Sequence, residues 1–165
     1  MIGVALMFTG AVFLVNGMAL LGLVDGPSIS IFNLIAFVLD AGIALWAGLN
    51  GNPYGMAQVL LFAFTYLILA WNALTGTADY RAFGWYCGFV TVMALPTSLI
   101  QYGEHAPWFG TFWLSWAVLW YFFFLMFGLG VKLSPRFVGG SAVAVGIGTV
   151  MVPGFLLTSG VWAGG

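Results

Sequence analysis

Charge is what this sequence has least of: its 165 residues include three lysines or arginines and four aspartates or glutamates, 4% of the chain. A soluble domain carries about 25% charged residues, so this chain has too few to solvate a surface. Its net charge of −1 leaves no basic patch for nucleic acid, and we expect no such partner. The single cysteine, Cys87, excludes a disulfide within the chain and any multi-cysteine metal site. We expect no metal and no cofactor.

What the sequence has instead is a series of long apolar runs, in a chain that is 63% hydrophobic with a mean hydropathy of +1.12. Each run is long enough for a helix to cross about 30 Å of hydrocarbon, and Gly, Pro, Asn and Asp separate the runs. We predict six membrane-spanning helices, near residues 2–23, 28–49, 56–75, 83–101, 108–130 and 137–162. Transmembrane β-strands would be roughly ten residues long and would alternate, which these runs do not. The predicted fold is an all-α, compact six-helix membrane domain over residues 1–165.

The three positive charges predict the orientation of the chain. Arg81 lies between the third and fourth predicted helices, and Lys132 and Arg136 lie between the fifth and sixth. These two connections share one side of the membrane, which the positive-inside rule makes cytoplasmic, so both termini are expected outside. The first apolar run has no positive segment before it, and we expect a retained helix instead of a cleaved signal peptide. We predict a multi-pass protein of a bacterial inner (plasma) membrane.

Polar residues inside the predicted helices recur at a spacing of seven, which returns a helix to nearly the same face. The repeats are Thr9 with Asn16, Asn33 with Asp40, and Gln58 with Thr65 and Asn72. Such side chains are costly in hydrocarbon, so they should face another helix or a wet cavity; hydrogen bonding between helices is the simpler explanation. Asp40 is the one charge within a predicted helix, and it has either a functional role, such as proton coupling, or a structural one.

The fifth predicted helix carries Trp113, Trp116 and Trp120 at i, i+3 and i+7, so one face is a ladder of indoles. Trp113 fits the membrane interface, where tryptophan usually lies, but the other two are too deep. They either pack in the core or line a passage. A narrow aromatic passage excludes ions, which would lose their water without replacement, and admits small, flat, neutral molecules such as urea or acetamide.

Several segments together resemble the AmiS/UreI family of urea channels and short-chain amide transporters. They are the third-helix segment 60–67 (LLFAFTYL) with Asn72, the connection 79–86 (DYRAFGWY), the fifth-helix segment 114–120 (LSWAVLW), and Asn16, Gly17 and Asn33. The resemblance covers nearly the whole chain. It implies a passive channel through each six-helix protomer, with protomers arranged as a hexameric ring.

The resemblance also implies two constrictions. By position, Phe13, Phe64, Trp113 and Trp116 would form the outer one, with Thr9 nearby, and Leu119 and Trp120 the inner one. At three points this chain departs from the family. A tyrosine of the inner constriction is aligned with Ile68, a glutamate of the sixth helix is aligned with Val145, and a histidine-rich outer surface that gates by acid is reduced to His105. Because histidine titrates in the relevant range, we predict no strong acid gate.

The sequence therefore favours a passive channel for small neutral planar solutes, urea or short-chain amides, whose partners are the solute, membrane lipid and further copies of the chain in a homo-hexamer. An enzyme is disfavoured, because the chain has one histidine and no cysteine–histidine cluster, and Ser115 and Ser141 have no evident base. Two alternatives stay open: a proton-coupled carrier that uses Asp40, and an accessory structural membrane protein.

Overall fold

The fold was analysed in a computed structural model, which describes residues 1–162. Within that part of the chain, six helices are long and apolar enough to cross a membrane: α1 Ile2–Leu20, α2 Ile29–Leu49, α3 Pro53–Thr75, α4 Arg81–Gly103, α5 Pro107–Gly128 and α6 Pro135–Thr158. The six predicted spans are confirmed. Their ends differ by a few residues, most at the end of α6.

Helix boundaries follow from local chemistry that the sequence displays. Asn52 caps α3 by accepting a 2.8 Å hydrogen bond from the backbone N–H of Gly55, and Pro53 occupies the first helical position, where its missing N–H costs nothing. Gly76 ends the same helix in the left-handed conformation, with φ of 63°. Pro107 and Pro135 begin α5 and α6 in the same way.

The bundle is built from helix pairs, with α2 along α3, α4 along α5 and α1 along α6. Glycines bring the backbones of α1 and α6 together. A Cβ on Gly10 would lie 2.5 Å from the Cβ of Met151, and one on Gly146 would lie 2.5 Å from the Cβ of Phe13. Small residues of this kind allow close packing in lipid, where no hydrophobic force drives helices together.

Helices α5 and α6 each contain a π-helical segment, at Phe124–Gly128 of α5 and at Gly146–Met151 of α6. A π segment holds an extra residue in its turn and so rotates the side chains that follow. The segment in α6 includes Thr149, which faces α5 and hydrogen-bonds there. Gly146, in the same segment, packs closely against Phe13. The irregular part of α6 therefore borders the centre of the bundle.

Candidate functional site

An aromatic cluster fills the centre of the bundle. It consists of Phe13 from α1, Phe62 from α3, and Trp113, Trp116 and Trp120 from α5, each at most 7% exposed. The ring of Phe62 contacts all three indoles, with centroid distances of 5.7, 5.2 and 4.6 Å in chain order. Phe13 stands edge-on to Trp120 at 6.2 Å. The three indoles therefore lie in the interior of the bundle, where two phenylalanines from other helices pack against them.

A cavity of about 340 Å³ lies on the side of the cluster that faces the two termini; we call it the termini-side cavity. Its mouth is lined by Met1, by Asn52 at the α2–α3 connection and by Gln101 near the α4–α5 connection. Its deeper walls include Thr9, Asp40, Gln58, Phe62, Trp113 and Trp116.

A second cavity, of about 240 Å³, lies at the other end of the bundle; we call it the opposite-end cavity. Gly26, Tyr80 and Phe127 line it close to the α1–α2, α3–α4 and α5–α6 connections. Its deeper walls include Phe13, Asn16, Thr65, Tyr66, Leu119 and Trp120. Since Phe62, Trp113 and Trp116 border the first cavity while Phe13 and Trp120 border the second, the aromatic cluster separates two cavities that open toward opposite ends.

Hydrogen bonds between α1 and α2 account for several of the polar residues singled out from the sequence. Thr9 donates to Oδ2 of Asp40 at 3.2 Å. The side-chain amides of Asn16 and Asn33 bond each other reciprocally, at 3.0 and 2.7 Å. These contacts are the interhelical bonds that the seven-residue spacing suggested.

The remaining polar residues of α3 and α5 differ in their hydrogen-bond partners and in whether they line a cavity. Thr65 donates to the carbonyl of Leu61 within its own helix at 2.9 Å while lining the opposite-end cavity. Asn72 is buried but lines neither of the two cavities described above. Nε1 of Trp116 donates to Oγ1 of Thr149 at 2.9 Å, so this deep indole has the acceptor that burial requires.

On α3 the structure places two of the predicted constriction residues away from the two cavities. Phe64 is 43% exposed on the outside of the protomer, and Phe62 takes its place in the aromatic cluster. Ile68 borders neither of the two cavities, whereas Tyr66, 1% exposed, borders the opposite-end cavity. Phe62 and Tyr66 each lie two residues before the position predicted from the resemblance, a step that turns a side chain by about 200° around an α-helix.

Sequence reasoning also missed Thr149, the partner of Trp116. No spacing pattern points to it, because it lies in the π-helical segment of α6. The signal for Phe62 and Tyr66 was available: together with Gln58 they are four residues apart, which keeps them on one face. Val145, which the resemblance aligns with a glutamate, is half-buried against the core at the end of the first part of α6.

Four buried side-chain atoms have no hydrogen-bond partner among the described residues 1–162: Oδ1 of Asp40, Nε2 of Gln58, the hydroxyl of Tyr66 and Nε1 of Trp120. Buried polar atoms are normally bonded, so each exception requires an explanation. All four residues line a cavity, the first two on the termini side and the last two at the opposite end. Each of the four residues therefore borders a cavity that has room for water or a small solute.

Charged groups outside the helices lie apart from the cavities. At the α3–α4 connection Arg81 and Asp79 form an exposed ion pair at 2.6 Å. The hydrogen bonds and charge of Arg81 lower the pKa of Asp79 to about 2. Residues 1–162 contain no group of three or more His, Cys, Asp or Glu side chains that could hold a metal ion.

Comparison with known proteins gives a consistent result. The family model described as "AmiS/UreI family transporter" matches residues 1–161. A putative amidate substrates transporter protein of Mycolicibacterium smegmatis is 37% identical, with 99% of this chain and 79% of the relative covered. An acid-activated urea channel of Helicobacter pylori is 28% identical, over 95% and 97% of the two chains. The crystal structure of the urea channel from that organism superposes with a TM-score of 0.88 at 29% identity, over 98% of this chain and 99% of that one.

Six membrane-length helices around two opposed cavities define a membrane protein of the channel or transporter class. The chain belongs to the AmiS/UreI family of transporters. The resemblance noted from the third helix, the following connection and the fifth helix is thereby confirmed, and so is transport across a membrane as the general function of the family.

Proposed function

We propose that the protein is a passive channel for small, neutral, planar solutes, namely urea and short-chain aliphatic amides such as acetamide. The observation that carries the proposal is the aromatic cluster between two cavities that open toward opposite ends. An ion that reached the cluster would lose its hydration without replacement. A flat neutral solute loses much less and can lie against the rings.

The residues assigned to this path are the five of the aromatic cluster with Leu119, and the polar side chains of Thr9, Asn16, Asp40, Thr65 and Tyr66 along the two cavities. Tyr66 replaces Ile68 in the assignment, and Phe62 replaces Phe64. Asn33 holds Asn16 in place from α2. The names of the relatives, one referring to amidate substrates and one to urea, support this class of solute.

We assign the whole chain, residues 1–165, to one channel domain in a bacterial inner membrane, with both termini outside. Arg81, Lys132 and Arg136 support this orientation, because all three belong to connections at the end of the opposite-end cavity. That cavity then opens to the cytoplasm. A homo-hexamer is the assembly that the family resemblance supports; each protomer contains its own pair of cavities.

A proton-coupled carrier is the second candidate, and one observation favours it. Asp40 is 2% exposed near the middle of α2, with Oδ1 unpartnered in the described part of the chain, and an intramembrane carboxylate is a common element of proton relays. The two candidates differ in their response to a pH gradient. A carrier would accumulate solute against its own gradient, and a passive channel would not.

Stopped-flow light scattering on proteoliposomes tests the proposal. Urea and acetamide gradients would be applied at pH 5 and pH 7.5. A channel without an acid gate gives flux well above that of empty liposomes, linear in the gradient and similar at both pH values. Absence of excess flux for both solutes, from protein that is still assembled, would contradict the proposal.

A further inference from the structure

Asp40 and Gln58 place one acceptor and one donor without partners in the wall of the termini-side cavity. Oδ2 of Asp40 accepts from Thr9 at 3.2 Å, while Oδ1 is buried and has no partner among residues 1–162. Nε2 of Gln58 is likewise buried without a partner in that part of the chain. Both residues line the same cavity, between the helix pair α2 and α3 that packs along its length.

Leaving these atoms unpaired is costly, since buried polar groups are normally hydrogen-bonded. The cavity beside them measures about 340 Å³, roughly ten times the 30 Å³ share of a water molecule in the liquid. The cavity that both residues line is therefore large enough for a small solute. Phe62, Trp113 and Trp116 line the same cavity and supply flat apolar surface.

The two atoms complement a carboxamide. An amide or urea group carries N–H donors and a carbonyl acceptor in one plane, and the wall offers an acceptor from Asp40 and a donor from Gln58. We propose that Asp40 and Gln58 form a recognition site for carboxamide and urea groups in the termini-side cavity: Asp40 accepts a solute N–H, and Gln58 donates to the solute carbonyl. The proposal rests on the proposed channel function and names the residues that select its solute before the aromatic cluster.

A recognition site of this kind predicts block by a charged analogue of the solute, which a purely apolar filter would not show. Acetamidinium has nearly the shape of acetamide, but it carries only N–H donors and a positive charge. Its hydrogen bond to Asp40 is charge-assisted and therefore stronger than that of acetamide, and the aromatic rings of the cavity add attraction for a cation. The same charge prevents it from passing the aromatic cluster. Acetamidinium should therefore occupy the site and block the channel.

The experiment measures acetamide flux into proteoliposomes by stopped-flow light scattering with increasing acetamidinium chloride on both sides. Tetramethylammonium chloride at equal concentration controls for ionic strength, since it has no N–H donor. Acetamidinium is expected to block the wild-type channel, and Asp40→Asn to raise the half-blocking concentration by about tenfold, the cost of losing one charged hydrogen bond. Glu104→Gln is the matched control. It removes an exposed carboxylate at the same end of the bundle that does not line the cavity, and its block should equal the wild type.

Gln58→Leu tests the role of Gln58 separately from that of Asp40. It also keeps the test decisive if the Asp40→Asn protein fails to assemble. Because acetamidinium has no carbonyl, this variant should retain the block while acetamide flux falls by about two- to tenfold. Wild-type acetamide flux that acetamidinium leaves unchanged would overturn the recognition site and leave the channel standing. Equal block in wild type and assembled Asp40→Asn, or unchanged acetamide flux in Gln58→Leu, would also overturn it. No acetamide flux in the wild type would instead refute the channel itself.

Discussion

The two cavities share one aromatic cluster but are lined by different polar residues. The larger, termini-side cavity has the carboxylate of Asp40 in its wall. The smaller, opposite-end cavity is lined by Tyr66 and Trp120, whose hydroxyl and indole N–H have no partners within residues 1–162. The termini-side cavity thus has an acceptor, from Asp40, and a donor, from Gln58, whereas the unpartnered groups of the residues that line the opposite-end cavity are donors. A neutral amide has both N–H donors and a carbonyl acceptor and can bond to groups of either kind, whereas an ion that carries only donors or only acceptors cannot.

Gly146→Leu should have the largest effect, because it destroys the boundary between the cavities. A Cβ at this position would lie 2.5 Å from the Cβ of Phe13, a member of the aromatic cluster, and overpacking of this kind costs about 1–3 kcal/mol or more. We expect loss of assembled protein or a lower melting temperature in detergent. Gly148→Leu is the matched control, since nothing lies within 4 Å of that position. Equal melting temperatures for the two variants would contradict the close contact between α1 and α6.

Trp120→Ala should merge the cavities without breaking the bundle. Removing the indole takes away the ring 4.6 Å from Phe62, so larger amides should pass. A tight apolar pocket discriminates by about tenfold or more per methylene, and we expect the acetamide-to-butyramide flux ratio to fall by about tenfold.

Phe64→Ala is the matched control for that variant, because Phe64 lies on the outside of the protomer. Its flux ratio should equal the wild type. A changed ratio in Phe64→Ala, or an unchanged ratio in correctly assembled Trp120→Ala, would remove the cluster from the filter.

Tyr66→Phe should have a smaller effect on flux, because it removes one hydrogen-bonding group beside the opposite-end cavity. It deletes one buried donor and preserves the ring, and a hydrogen bond of this kind is worth about 0.5–1.5 kcal/mol. Urea flux should fall by about two- to tenfold. Tyr54→Phe, at an exposed tyrosine at the start of α3, should leave flux unchanged. Wild-type urea flux in Tyr66→Phe would mean that the hydroxyl takes no part in the path.

Mild acid should have the smallest effect on flux. His105 is the one histidine of the sequence, and Asp79 has its pKa lowered to about 2 by Arg81. A lowered pKa means that this ion pair is fully formed above the usual aspartate range and is lost only as the pH falls toward 2. Because histidine is the side-chain type that ordinarily titrates in this range and the sequence has a single one, urea flux at pH 5 and pH 7.5 should be similar. A steep rise or fall between the two would point to a gate.

The sequence predicts the helices of this fold far better than the faces they present. Apolar length and the breakers between the runs locate all six spans, because the bilayer leaves the backbone no alternative to a helix of that length. The ladder of Trp113, Trp116 and Trp120 likewise follows from spacing within one helix. Which face of α3 meets that ladder depends on contacts with another helix. Phe62 and Phe64 are equally aromatic, so composition does not distinguish them.

Two other parts of the site were not predictable for related reasons. Thr149 bonds Trp116 from a π-helical segment, where the regular helical period no longer predicts direction. The partners of Asp40 and Asn16 lie on neighbouring helices, and a seven-residue spacing indicates a shared face without saying which helix it meets. The glycines along α1 and α6 allow these two helices to pack closely, and this effect appears only once the helices are packed.

The most direct test of the account measures solute flux and ion conductance on the same purified protein. Acetamide flux would be followed by stopped-flow light scattering and ionic current in planar bilayers. The account predicts acetamide flux well above that of empty liposomes with no current above the bare bilayer, because the aromatic cluster between the cavities passes flat neutral solutes and excludes ions. Ionic current through the assembled protein, or absence of acetamide flux, would contradict it.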